Sequence, residues 1–367
     1  MIDTRLFKNE EKAIFALRAL YNSYGYLPFK MSKFEEYDIY VRNKDFLVSD
    51  SVITFNDTNG KLLALKPDVT LSIIKNTSDK AGCKDKVYYN ENVYRVSQKT
   101  HQFKEIMQTG LECIGDIDEY DVFEAVYLAA RSLDTVSPDF VLDISHMGIV
   151  SAILDDATDS RQFKKEAVKL IAEKSAHEIT ALCKEHGIPD CKAEAIISLV
   201  STYGSIDAVL PKLEELCVSE RAKKELCDLR ALCALIMNTE YKNSIRIDFS
   251  VLNDMSYYNG IVFKGFLKGI PEGVLSGGRY DKLIERMGRK SGAIGFALYL
   301  DLLEELDTEK RLYDVDALVI YDSGVSADKV AATVCRLTEK GQRVSAQKSV
   351  PDKLRYKEII DLTKEGE

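Results

Sequence analysis

The sequence predicts an α+β fold in which a mixed sheet is interrupted by a helical block and followed by a short C-terminal α/β unit. Three observations predict it. Strand-like runs punctuated by Asn, Asp and Gly fill residues 38–144, almost purely helical sequence fills 146–241, and strand texture returns from 245. At 367 residues the chain exceeds one ordinary core. The expected division is therefore a main domain at 1–306, with its insertion at about 146–241, and a smaller unit at 312–367.

The first helix rests on Ile14, Leu17, Leu20, Tyr21 and Tyr24 at helical spacing, with Gly25 as its stop. Short β-like runs follow at 52–55, 62–65, 87–89, 93–96 and 108–114. A helix fits 120–133, because Tyr120, Phe123, Val126, Tyr127 and Ala130 share one side, and a strand fits 140–144. Within the helical block, breaks are expected near His186-Gly187-Ile188-Pro189 and Tyr203-Gly204. Strands are expected at 245–249, 260–266 and 274–276, with Gly277-Gly278 as a turn. A helix from Tyr280, a strand at 293–297 and a helix at 298–306 close the main domain. The tail reads as strand 315–321, helix 326–340, strand 343–347 and helix 356–363, a thin core for an independent unit.

Composition narrows the function classes. The chain is 46% hydrophobic and 30% charged, with no apolar stretch long enough to span a membrane and no secretory h-region after Met1. Its eight cysteines show neither C-x-x-C pairs nor metal-finger spacing, so they read as thiols of a reducing compartment. A cytoplasmic protein without metal or cofactor is expected. A net charge of −9 and the lack of clustered Lys and Arg argue against a nucleic-acid partner.

Four segments carry chemistry. They are Leu65-Lys66-Pro67-Asp68-Val69-Thr70; Tyr94-Arg95 leading through a polar loop to Gln108-Thr109-Gly110-Leu111-Glu112; Ser256-Tyr257-Tyr258-Asn259-Gly260; and Ser276-Gly277-Gly278-Arg279-Tyr280-Asp281 with Gly295-Phe296-Ala297. Each alone has an ordinary structural reading. Pro-Asp suits a helix start, paired tyrosines pack, and Gln108 and Glu112 share one face of a strand. Together and in this order, over roughly residues 8–306, they resemble the class II histidyl-tRNA synthetase family. The resemblance implies a class II aminoacyl-tRNA synthetase-like antiparallel sheet flanked by helices, with a C-terminal anticodon-binding-like α/β unit that stops early at Glu367.

Carried over residue by residue, the resemblance implies a histidine pocket. Asp68, Thr70 and Gln108 would hold the ammonium, and Glu112 and Tyr258, the second of the Tyr257-Tyr258 pair, would read the imidazole. Carboxylate, hydroxyl and amide acceptors suit those donors. Asp68 is one methylene shorter than the family's Glu. The activation machinery departs further. Arg95 remains at the α-phosphate position, but Ser97 stands for a Glu, and the loop from Gln98 to Glu105 contains no Arg. Asn253 and Leu302 replace two arginines. Fixed cations that stabilise transferring phosphoryl charge are each worth about a hundredfold to a thousandfold, and neither Asn nor Leu supplies one. The lone His101 of the loop reads as solvated rather than catalytic.

This mixture resembles the synthetase paralogues that serve as regulatory subunits of ATP phosphoribosyltransferase. It implies no catalytic residue, a homodimer, a short-form catalytic subunit as partner, and histidine as effector. The alternatives are an active histidyl-tRNA synthetase and a tRNA-sensing or structural module.

Overall fold

A computed structural model describes residues 7–42, 52–78, 80, 82–96, 102–252, 258–306 and 312–364, and the chain divides into two compact units, Met1–Leu306 and Asp307–Glu367. In the first, α1 (Asn9–Ser23) buries Leu17, Leu20 and Tyr21 of the stripe its periodicity predicts, together with Ala13, while Ile14 and Tyr24 are half-buried. Gly25 ends it at a φ of 80°, a conformation that costs a side-chain-bearing residue. Next come β1 (Leu27–Pro28), β2 (Phe34–Glu36), α2 (Tyr37–Arg42), β3 (Thr54–Asn56), β4 (Leu62–Leu65) and α3 (Thr70–Asn76). Helix α2, in a region expected to be strand-rich, is fixed by Tyr40, which is buried in a cluster with Ala64 and Ile73.

The two runs expected at 87–89 and 93–96 are one strand, β5 (Lys84–Val96), paired antiparallel along its length with β6 (Phe103–Gly115). Helix α4 (Glu119–Val136) follows, and its Asp118 cap accepts the Asp121 amide. Strand β7 (Phe140–His146) leads into the helical block: α5 (Met147–Ala157), α6 (Arg161–Ala172), α7 (Ala176–Glu185) and α8 (Asp190–Ser201), then β8 (Tyr203–Ser205), α9 (Ile206–Leu216) and α10 (Glu220–Ile236). Both expected breaks occur, at the α7–α8 junction and at β8.

The chain then returns to the sheet through β9 (Ile245–Asp248), β10 (Ile261–Leu267) and β11 (Leu275–Arg279), followed by α11 (Asp281–Arg286) and β12 (Gly292–Tyr299). Residues Leu300–Leu306 form a 3-10 helix, so the helix expected from 298 begins later. Strand order is β1-β5-β6-β12-β11-β10-β7-β9-β8, antiparallel except for the β1–β5 and β7–β9 pairs. A small antiparallel sheet, β2-β4-β3, stands beside α2. The main core lies where α1, α4 and the helical block cover one face of the large sheet, with Leu17, Leu128, Leu133, Phe263 and Phe296 fully or almost fully buried.

Two local expectations are corrected. Gly277-Gly278 is not a turn but part of β11. A Cβ at 277 would lie 2.4 Å from the Gly295 carbonyl oxygen and from Phe296 Cβ, so glycine serves close strand approach. In the second unit, β13 (Val315–Ile320), α12 (Ala327–Glu339) and β14 (Val344–Gln347) form the expected βαβ pattern, but 356–363 is not helical. Its residues form β15 (Tyr356–Asp361), parallel to β13 on the side opposite β14. β-branched Ile359 and Ile360 suit that strand, and Ile360 packs with Ala317, Val319, Leu337 and Leu362.

Candidate ligand site

The candidate site is built on β6. Side chains alternate along a strand, so Gln108, Gly110 and Glu112 share a face. The neighbouring register places Tyr299 opposite Gln108 and Gly295 opposite Glu112. Gly295 leaves the space that the Glu112 carboxyl group fills, since a Cβ there would lie 1.7 Å from Glu112 Oε2. Gly110 similarly admits the Tyr89 ring: its Cβ would come within 2.7 Å of the phenol oxygen. Gly278 does the same for Tyr258, whose ring carbon would be 2.7 Å from a Cβ.

The segment from Lys66 to Thr70 closes over this face. The Tyr94 amide donates to the Lys66 carbonyl at 2.9 Å, and Arg95 Nε donates to the Pro67 carbonyl at 3.0 Å, fastening the segment to β5. Helix α3 begins at Thr70 rather than at Pro67, and the Asp68 carboxylate accepts the Leu71 amide at 3.0 Å. Asp68 therefore has a helix-start role of its own. Thr70 Oγ1 donates to Glu112 Oε1 at 2.9 Å, and Tyr280 Oη donates to the other carboxyl oxygen.

Thr70, Gln108 and Glu112 are buried, while Asp68, Arg95 and Tyr258 are half-buried. Burial, with Asp68 nearby, pushes the Glu112 carboxyl up to about 8 despite the two hydroxyl donors. Burial also raises Asp68, opposed by the Leu71 amide and the Arg95 guanidinium. The Tyr89 and Tyr258 phenols are raised by burial and by the Glu112 and Asp68 carboxylates. Lys66 is fully buried, and its ammonium is 2.6 Å from Glu91.

The structure thus brings Asp68, Thr70, Glu112 and Tyr258 into one cluster, with Gln108 on the same strand face and Arg95 at its margin. Ser97, Asn253, Tyr257 and His101 lie outside the described residues. Leu302 is half-buried in the 3-10 helix and packs against the main core, an apolar setting in which leucine is at home. Tyr280 and Tyr89 also belong to the cluster. The sequence points to Tyr280 only as a member of the Ser276–Asp281 segment, with no ligand role, and to Tyr89 only as part of a β-like run. Chemically, the arrangement offers carboxyl, hydroxyl and aromatic groups to a cationic or hydrogen-bond-donating ligand.

A family model described as histidyl-tRNA synthetase matches residues 3–303. Among curated relatives, an ATP phosphoribosyltransferase regulatory subunit of Acetivibrio thermocellus is 27% identical over 339 residues, covering 88% of this chain and 79% of the relative. One from Alkaliphilus metalliredigens is 29% identical over 290 residues, covering 77% and 72%. A solved ATP phosphoribosyltransferase regulatory subunit/histidyl-tRNA synthetase from Bacillus halodurans superposes with a TM-score of 0.76 at 22% identity, over 98% of this chain and 96% of that one. A chain from the ATP phosphoribosyl transferase (HisG:HisZ) complex of Thermotoga maritima gives 0.63 at 19% identity, over 80% and 98%. These structural likenesses place the fold with class II synthetases.

Proposed function

The chain belongs to the histidyl-tRNA synthetase family, and we propose that within it this protein is a non-catalytic regulatory subunit of ATP phosphoribosyltransferase, acting in histidine biosynthesis. It supports a short catalytic subunit and carries the histidine signal to it, as a homodimer within a cytoplasmic hetero-oligomer and without nucleic acid. One observation carries the reading: Thr70, Gln108, Glu112 and Tyr258 furnish a cradle, and it is joined by the sequence reading that Ser97, Asn253 and Leu302 stand where the family resemblance puts the charged residues of activation. A sensor needs the first and has no use for the second. The regulatory-subunit relatives, aligned over most of this chain, support the same reading.

In the proposed site, Glu112 faces the imidazole beside Tyr258, and Asp68, Thr70 and Gln108 face the ammonium. A regulatory effect requires histidine to bind one state of the assembly better than another. The test mixes purified chain with a short-form catalytic subunit and follows co-elution and phosphoribosyl transfer. Association, with a changed rate and with histidine inhibition that depends on this chain, is expected. Failure to associate or to alter the rate overturns the proposal, as does robust histidine-dependent exchange of pyrophosphate into ATP.

A further inference from the structure

Behind the sheet from the candidate pocket lies a second cavity of about 370 Å³, walled by α10, the start of α4 and the ends of β7, β10 and β11. Its position follows from register. His146 pairs with Ile261, and Arg279 pairs with Ile294. Each is one residue from a member of the row Ser145, Val262, Gly278, Gly295 and Glu112, so alternation turns it to the opposite face. The cavity is thus separate from the cradle, one sheet thickness away.

Three features make it a built site. His146 lines the cavity with only 5% of its surface exposed, and its Nδ1 has no hydrogen-bond partner. Glu225 Oε2 is 3.6 Å from that nitrogen, too far for a hydrogen bond but right for a shared third group. Glu225 and Asp228, on one face of α10 at the cavity wall, form no ion pair with any lysine or arginine among the described residues. Asp118 and Asp281, also at the wall, are by contrast matched by Lys84 and Arg279 at 2.8 Å each.

We propose that this cavity is a binding site for a small aliphatic amine or diamine, whose ammonium group donates to His146 Nδ1 and to the Glu225 and Asp228 carboxylates. Burial and the Arg279 guanidinium hold the imidazole neutral, with its pKa down at about 4, so it can accept a hydrogen bond. Burial and the Asp228 charge raise the Glu225 carboxyl, outweighing the opposing charges of Arg221, Lys224 and Arg279, the second and third of which also line the cavity without pairing with it. A metal ion fits less well: among the described residues, no three His, Cys, Asp or Glu side chains converge to hold one.

The wall also touches the cradle through the chain. Asn259 and Asp281 line the cavity and bond to each other, Asn259 Nδ2 donating to Asp281 Oδ2 at 3.0 Å. Their sequence neighbours Tyr258 and Tyr280 stand against Glu112 on the other face. An occupant of the rear cavity therefore bears on the two segments that supply the cradle's tyrosines.

Calorimetry on the full chain, with 1,4-diaminobutane as probe and 1,4-butanediol as its neutral isostere, tests the site without reference to histidine or a partner. One saturable site per chain for the diamine, none for the diol, and weakening of about tenfold or more in Glu225→Gln are expected from loss of a charge-assisted contact. Circular dichroism establishes that the variant is folded, and Asp228→Asn carries the same expectation should Glu225→Gln not fold. No saturable binding, equal binding of the diol, or undiminished binding in the folded variant overturns the proposal.

Discussion

Glu112→Gln separates a buried carboxyl's cost from its use. The side chain is 3% exposed, and both oxygens accept hydroxyl donors, from Thr70 and Tyr280. Its pKa stands at about 8 in the fold, with burial as the largest cause. An unfolded chain releases that proton near the ordinary Glu value of about 4.3, so from there upward the unfolded state is favoured. Because the folded pKa is the higher one, the carboxyl opposes folding increasingly as pH rises, by about 1.4 kcal/mol per pH unit until about pH 8. Between about pH 5 and about pH 8 the wild type loses roughly 4 kcal/mol through this group. The amide of glutamine is similar in shape to a protonated carboxyl and does not titrate. Urea unfolding of both proteins should therefore give similar stabilities near about pH 5 and a growing advantage for the variant above it. Parallel stability–pH curves would refute the reasoning. Histidine adds a second readout: an imidazole or ammonium donor at Glu112 favours the ionised carboxyl. Binding near about pH 7 should release close to one proton, seen as a heat that depends on the buffer's ionisation enthalpy. The variant should release none and bind more weakly. Equal affinity would remove Glu112 from the site.

Three further perturbations test the frame around the cradle. Glu91→Gln leaves the fully buried Lys66 ammonium without its carboxylate and should cost about 3–5 kcal/mol in urea unfolding; a loss under about 1 kcal/mol would mean the ammonium finds another partner. Gly295→Ala puts a methyl group 1.7 Å from Glu112 Oε2 and 2.4 Å from the Leu111 carbonyl oxygen. It should destabilise by about 1–3 kcal/mol and weaken histidine binding, as titration calorimetry would report. Leu128→Ala, in the fully buried stripe of α4, should lower stability by about 2–5 kcal/mol while histidine affinity in the remaining folded protein stays unchanged.

Helices with long apolar stripes were legible from the chain alone. Five spaced residues locate α1, and Tyr120 to Ala130 locate α4, because period 3.6 is a local property. Two failures have a common cause, pairing between distant segments. The stretch containing Ile359 and Ile360 is ambiguous in isolation and becomes strand because it lies beside β13. Gly277-Gly278 looks like a turn until Phe296 and Tyr258 are seen to occupy the space a side chain would need. At the candidate site, the residue types could be picked by order along the chain, but not their bonds. Tyr280 meets Glu112 across 168 positions and Thr70 meets it across 42, distances over which no local pattern speaks.

The charges around the cradle favour one class of ligand over another. Lys66 and Arg95 frame it, but the first is matched by Glu91 within the buried frame and the second donates to the Pro67 carbonyl beside Asp68. A phosphate entering here would have to draw one of those cations from an existing partner, at the cost of stranding Glu91 or loosening the segment that carries Asp68 and Thr70. A cation meets the opposite situation. Glu112 and Asp68 are both held above their ordinary range chiefly by burial, so an arriving ammonium or imidazolium relieves a penalty already present in the empty fold. On the proposed reading, the same two carboxyl groups that make the free protein less stable at high pH supply the affinity for histidine, Glu112 at its imidazole and Asp68 at its ammonium. An adenylating site must satisfy the amino acid and a phosphate together, whereas a sensor is complete with the first alone.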